Sequence, residues 1–285
     1  MNNSFFTYFN LCISSVLLLT LNACINKVHY KSPDGYDFSK PEKYVLPEKL
    51  HEISGITFLN GNPEKLYAVN DEEGKIYEFH FSDKAFFSSK FYGQGDYEDV
   101  VIINKKVVVL KSDGSLYVFA IDSLGAIEVQ STEVFPQVLP QGEYEGIAAH
   151  ENRVFVICKQ CPADKHRKQA TVYELDLSEG VSPKLINRHA LDFSSLKKKE
   201  KFYASGIAKN PVTGNWFVIS SAGKLLVVLD TAWKIKATYP LDPGLFKQPE
   251  GIAFSTNADL YISNEGAGGA ANVLKFTYKN KSNTY

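Results

Sequence analysis

Three glutamates recur in one kind of phrase: Glu98 in YEDVVII, Glu145 in YEGIAAH and Glu250 in PEGIAFS. Two further copies, EISGITF and YASGIAK, carry Ser54 and Ser205 at the same mark. A carboxylate opening a short apolar run could hold a hard cation. Calcium takes about six to eight oxygen ligands from carboxylates, carbonyls and water, so converging glutamates suit it. Like charges meeting at one opening also raise the cost of ionisation unless something positive intervenes. That positive group could be the cation itself, or Lys111 or Lys159 further along the chain. Equally, the glutamates could accept hydrogen bonds from the backbone N–H groups of neighbouring strands and hold those strands together. Residue type alone leaves these readings open.

The elements that would position these side chains follow from the spacing. The marks Ser54, Glu98, Glu145, Ser205 and Glu250 stand 44, 47, 60 and 45 residues apart. After each comes a turn, a second apolar run such as KLYAVND or VVVLKSD, a hairpin, and a third run such as KIYEFHF or SLYVFAI. Short stretches rich in Val, Ile, Tyr and Phe between turn formers read as strands, and no long segment keeps a helical period. Five antiparallel units of this length predict an all-β, five-bladed β-propeller.

In such a blade the first strand lines the channel and the second returns antiparallel, so the start of one and the end of the other share a mouth. The predicted mouth therefore gathers the five marks, with Glu52, Asp96 and Glu143 two residues earlier. To these it adds Asn70 and Asp71, Ser112 and Asp113, Cys158 and Lys159, Ser220 and Ser221, and Asn264 and Glu265. Gly55, Gly146, Gly206 and Gly251 follow their marks where neighbouring strands crowd and a Cβ would obstruct. The fifth unit ends soon after NVLKFTY, and YDFSKPEKYVLPEKL, ahead of the first phrase, is expected to supply the missing strand and close the ring.

Of the 285 residues, 44% are hydrophobic and 22% charged, with a net charge of −1 from 31 basic and 32 acidic side chains. That balance gives no basic footprint for nucleic acid. The opening segment has an apolar stretch from Leu11 to Leu21, short for a membrane span and suited to a signal-peptide core. It ends in LNAC, which resembles a bacterial lipoprotein lipobox with Cys24 as the lipidated residue. The expected organisation is a signal peptide over 1–23, a polar tether over 24–42 and the propeller over 43–285. Cys158 and Cys161 form one C-x-x-C, read either as a small disulfide or as two thiols in a surface loop. With only Asp164 and His166 nearby, a structural zinc site is disfavoured. The run SLKKKEKF at 195–202 reads as a solvated loop.

Taken in order, EISGITF, LYAVNDEEGKIYEF, DYEDVVI, YEGIAAH, ASGIAKNPVTG, QPEGIAF and LYISNE resemble the SdiA-regulated family, the YjiK-like proteins of the bacterial cell envelope. The resemblance spans roughly residues 43–278. It implies an NHL-like five-bladed propeller bound to the envelope, with a calcium site and no established activity. Glu98, Glu145, Glu250 and Glu265 match the family's acidic positions, and Asp113 survives at the end of the second repeat's second strand. Cys158-Lys159-Gln160 and Ser220-Ser221-Ala222 depart from its acidic strand ends. The metal set expected from this resemblance is thus Glu98, Glu145, Glu250, Glu265 and Asp113.

The leading functional expectation is a lipid-anchored, periplasm-facing protein that binds an envelope ligand or protein at the ringed mouth without catalysis. One alternative is a metal-dependent hydrolase of the gluconolactonase-like propeller type, with metal-activated water. Another is a protein–protein scaffold docking through its side loops.

Overall fold

The computed structural model describes residues 30–164, 169–178, 182–196 and 202–280. Twenty strands form five four-stranded antiparallel sheets. Blade one holds β2 (Ile53–Phe58), β3 (Lys65–Asn70), β4 (Lys75–His80) and β5 (Phe86–Lys90). Blade two holds β6 (Tyr97–Ile103), β7 (Lys106–Lys111), β8 (Leu116–Ala120) and β9 (Glu133–Phe135). Blade three holds β10 (Glu143–His150), β11 (Arg153–Gln160), β12 (Gln169–Asp176) and β13 (Lys184–Asp192). Blade four holds β14 (Gly206–Lys209), β15 (Trp216–Ser220), β16 (Leu225–Leu229) and β17 (Ile235–Pro240). Blade five holds β18 (Pro249–Phe254), β19 (Leu260–Asn264) and β20 (Asn272–Phe276), with β1 (Glu42–Val45) as its outer strand.

The innermost strands β2, β6, β10, β14 and β18 touch in cyclic order, β18 returning to β2, so the sheets make a ring. Five apolar clusters fill the wedges between adjacent blades. One joins Leu110 and Leu116 of blade two to Val154 and Val156 of blade three, and another joins Ile219 and Leu226 of blade four to Ile262 and Leu274 of blade five. Apolar area removed from water at about 25 cal/mol per Å² drives the blades together.

The N-terminal strand closes the ring as the sequence predicts: Glu42 lies opposite Lys275 and Val45 opposite Asn272 in the β1–β20 ladder. Packing begins earlier, inside the stretch expected as tether. Tyr36 and Phe38 are buried, Tyr36 against Phe217 and Phe38 between Phe246 and Phe276. The Tyr36 hydroxyl donates to the Ala258 carbonyl at 2.6 Å and accepts from Asn210 Nδ2 at 2.8 Å. The signal and lipidation readings, including Cys24, lie outside the described residues, as do His166 and residues 197–201 of the lysine-rich run.

The odd opening of each first strand has a local cause. Pairing with the second strand is interrupted between Tyr97 and Asp99, between Tyr144 and Gly146, between Ile53 and Ile56, and between Pro249 and Ile252. Each interruption falls at the mark. A bulge re-aims a side chain and bends the strand, so the mark residue leaves the ladder and turns to the mouth. In blade four the ladder simply begins at Gly206, one residue after Ser205.

The glycine after the mark meets the next blade directly. A Cβ on Gly206 would lie 2.5 Å from the Glu250 carbonyl oxygen, and one on Gly251 2.6 Å from the Ser54 carbonyl oxygen. No side chain fits there.

Candidate functional site at the acidic mouth

The marks Glu145, Ser205 and Glu250 line a cavity of about 340 Å³ at one mouth of the channel, together with Lys159, Ser221 and Lys224. Lys159, from the end of β11, is ion-paired with Glu145 and lies 3.4 Å from Glu143. Glu143 also accepts from Gln160 Nε2 at 2.8 Å, and Gln248 donates to Glu265. On the blade-two side Ser112 donates to Asp96 at 2.5 Å, and the Asp96 charge lies close enough to Glu98 to oppose its ionisation.

Burial and crowding push the ring's carboxyls upward. Glu98 rises well above the ordinary carboxylate range through desolvation and the nearby Glu145 and Asp96 charges. Desolvation, then Glu145, takes Glu250 to about 7, and desolvation, then Glu250 and Glu52, takes Glu265 to about 8. Glu145 is raised by desolvation despite Lys159, and Asp71 by desolvation and Glu52. One oxygen of Asp71 is buried with no hydrogen-bond partner. The mouth is thus an acidic environment in which ionisation is costly and positive charge is welcome.

The predicted set is only partly assembled. Glu98, Glu145, Glu250 and Glu265 are linked electrostatically from neighbour to neighbour. Asp113 is engaged within its own turn: its carboxylate pairs with Lys111 at 2.9 Å and accepts from the Ser115 N–H at 2.9 Å. Its carboxyl is held below the usual range by those partners. The donor chemistry of the four glutamates fits an oxygen-seeking cation such as calcium. Their oxygens are not gathered, however: among the described residues, the only group of three or more His, Cys, Asp or Glu with ligand atoms within 4.8 Å is Cys158, Cys161 and Asp164. There Cys158 and Cys161 are joined as a disulfide, with Cα atoms 6.0 Å apart, so the thiolates that a soft metal needs are already spent.

At three of the five blade junctions, holding the blades together, the other task open to the glutamates, falls to different side chains. Asp99, fully buried beside Glu98, accepts from the Val100 N–H at 2.8 Å and from the Ile147 N–H of the next blade at 2.8 Å. The Ser205 hydroxyl donates to the Pro249 carbonyl at 2.9 Å, and the Ser263 hydroxyl to the Ser54 carbonyl at 2.9 Å. These three clasps span blades two to three, four to five and five to one. In the sequence Asp99 stands where the other copies have glycine, and that substitution was the available signal. Nothing comparable marks Ser263.

A family model described as SdiA-regulated matches residues 32–267. No curated protein matches by sequence. Among solved structures, glutaminyl cyclase from Myxococcus xanthus superposes with a TM-score of 0.57 at 9% identity, over 84% of this chain and 96% of that one. The PQQ-bound aldose sugar dehydrogenase of Streptomyces coelicolor gives 0.53 at 11% identity, over 87% and 100%. A luciferin-regenerating enzyme gives 0.51 at 14% identity, over 84% and 95%. At such identities the likeness is one of fold.

Proposed function

The chain belongs to the SdiA-regulated family, and from that premise we propose that it is a lipid-anchored, periplasm-facing envelope protein that binds a ligand at the acidic mouth without catalysis, with calcium as the cation the mouth takes. The observation that carries this reading is the convergence of Glu98, Glu145, Glu250 and Glu265 on one mouth, where each is pushed toward its protonated form. Asp99, Ser205 and Ser263 clasp three of the five blade junctions, a duty that at those junctions does not fall to the glutamates. Lys159 neutralises Glu145, which leaves Glu98, Glu250 and Glu265 as the carboxyl groups that a cation would have to draw together. A bound calcium would supply charge and a coordination site for an anionic or hydroxylated group. The Ser205 hydroxyl is committed to the Pro249 carbonyl rather than set beside a base, which favours binding over acyl transfer.

Isothermal titration of chelator-treated protein with calcium tests the cation. Saturable heat that is lost in Glu250→Gln supports the reading; no heat at millimolar calcium removes calcium from it. For the anchor, Cys24→Ala is expected to release the protein from membranes, and continued palmitate labelling of that variant would contradict the assignment.

A further inference from the structure

The opposite mouth has a different chemistry. Past the glycines, the inner strands converge on a cavity of about 300 Å³ whose floor is the buried side chains of Ile56, Ile147, Ile207 and Ile252. Exposed Asn60 and Thr256 stand at its rim. Four positions after the mark, four blades place Phe58, Ile102, Ala149 and Phe254 here, and blade four places Lys209.

The Lys209 ammonium lies 5.2 Å over the ring of Trp216 and has no carboxylate within 4 Å among the described residues. Glu151, the acid whose charge it feels, leans instead toward His150 Nε2 at 3.7 Å. Burial lowers the Lys209 pKa, as expected of a cation held at an apolar surface without a counter-ion.

A cavity of this size is at the small end of those that take organic ligands, room for one chain rather than two. One unpaired cation matches one negative charge. We propose that this mouth binds a free single-chain carboxylate, a medium-chain fatty acid, with its headgroup on Lys209 and its alkyl chain on the isoleucine floor. The site is separate from the acidic mouth and does not depend on the calcium reading.

Dodecanoate, kept below its micelle-forming concentration, is the probe for calorimetric titration of the chelator-treated full chain. Saturable binding is expected, weakened roughly tenfold in Lys209→Gln through loss of a charge-assisted contact. Uncharged dodecanol should bind wild type and variant alike. Absence of saturable dodecanoate binding, or equal dodecanoate affinity in Lys209→Gln with an unchanged melting curve, overturns the proposal. Should the variant fail to fold, wild type decides by comparison of dodecanoate with dodecyltrimethylammonium, and equal or tighter binding of the cation refutes it.

Discussion

At the scale of single residues the mouth ties folding to protonation. The Glu250 carboxyl sits at about 7 in the folded chain against an ordinary 4.5, so folding takes up a proton between those values. Its stabilising contribution is complete below about pH 4.5 and is lost as pH rises through about 7; Glu265 extends the loss through about 8. Metal-free protein should therefore melt at lower temperature at pH 8 than at pH 5. Glu250→Gln, with a permanently neutral amide, should flatten that decline and melt above wild type at pH 8. Thermal scans across this range check both statements, and a melting temperature that climbs with pH would refute them. The identities of Glu98, Glu145 and Glu250 as mouth residues were legible because the phrase repeats. Their release from clasping blades two and three was not: it depends on Asp99, whose bond to the Ile147 N–H spans 48 residues of sequence and shows only once the blades are adjacent. Asp113 pairs with Lys111 two residues away across the same turn, a pairing that no period reveals.

Strands and their order were the most readable level. Short, nearly continuous apolar runs bounded by Gly, Asn and Asp mark the strands because each blade buries its side chains against both neighbours and turns sharply at its ends. Closure by the N-terminal strand followed from the shortage of chain after NVLKFTY. What the sequence does not show is where the start of the closing segment docks: Tyr36 and Phe38 sit in a polar, turn-rich stretch, and only the wedge between blades four and five explains two buried aromatics there. The Tyr36 hydroxyl joins this segment to both blades through Asn210 and Ala258. Tyr36→Phe keeps the ring packing but leaves a buried amide and a carbonyl each short of a partner. A loss of about 1–3 kcal/mol in urea unfolding is expected, with an unchanged denaturant slope. An effect near zero would mean that water replaces the hydroxyl at both sites.

For the molecule as a whole, the two mouths differ in chemistry and the N-terminal segment is docked nearer one of them. Asn210 and Ala258, the partners of Tyr36, belong to the turns between the first and second strands of blades four and five. Those same turns supply Pro211, Ser255 and Thr256 to the apolar mouth. Asp71 and Glu72 follow the end of β3, on the acidic side. If lipid is attached at Cys24, the docking of Tyr36 on the turns of the apolar mouth puts the start of the described chain on that side, and the apolar mouth is expected to face the bilayer with the carboxylates toward the aqueous space. That orientation fits both proposed ligands, since an alkyl carboxylate would come from the membrane side and a hydrated cation from the other. A fluorophore on Thr256→Cys in vesicle-bound lipoprotein should be quenched by nitroxide lipids more strongly than one on Glu72→Cys. Stronger quenching at residue 72 would reverse the orientation and place the acidic mouth against the headgroups.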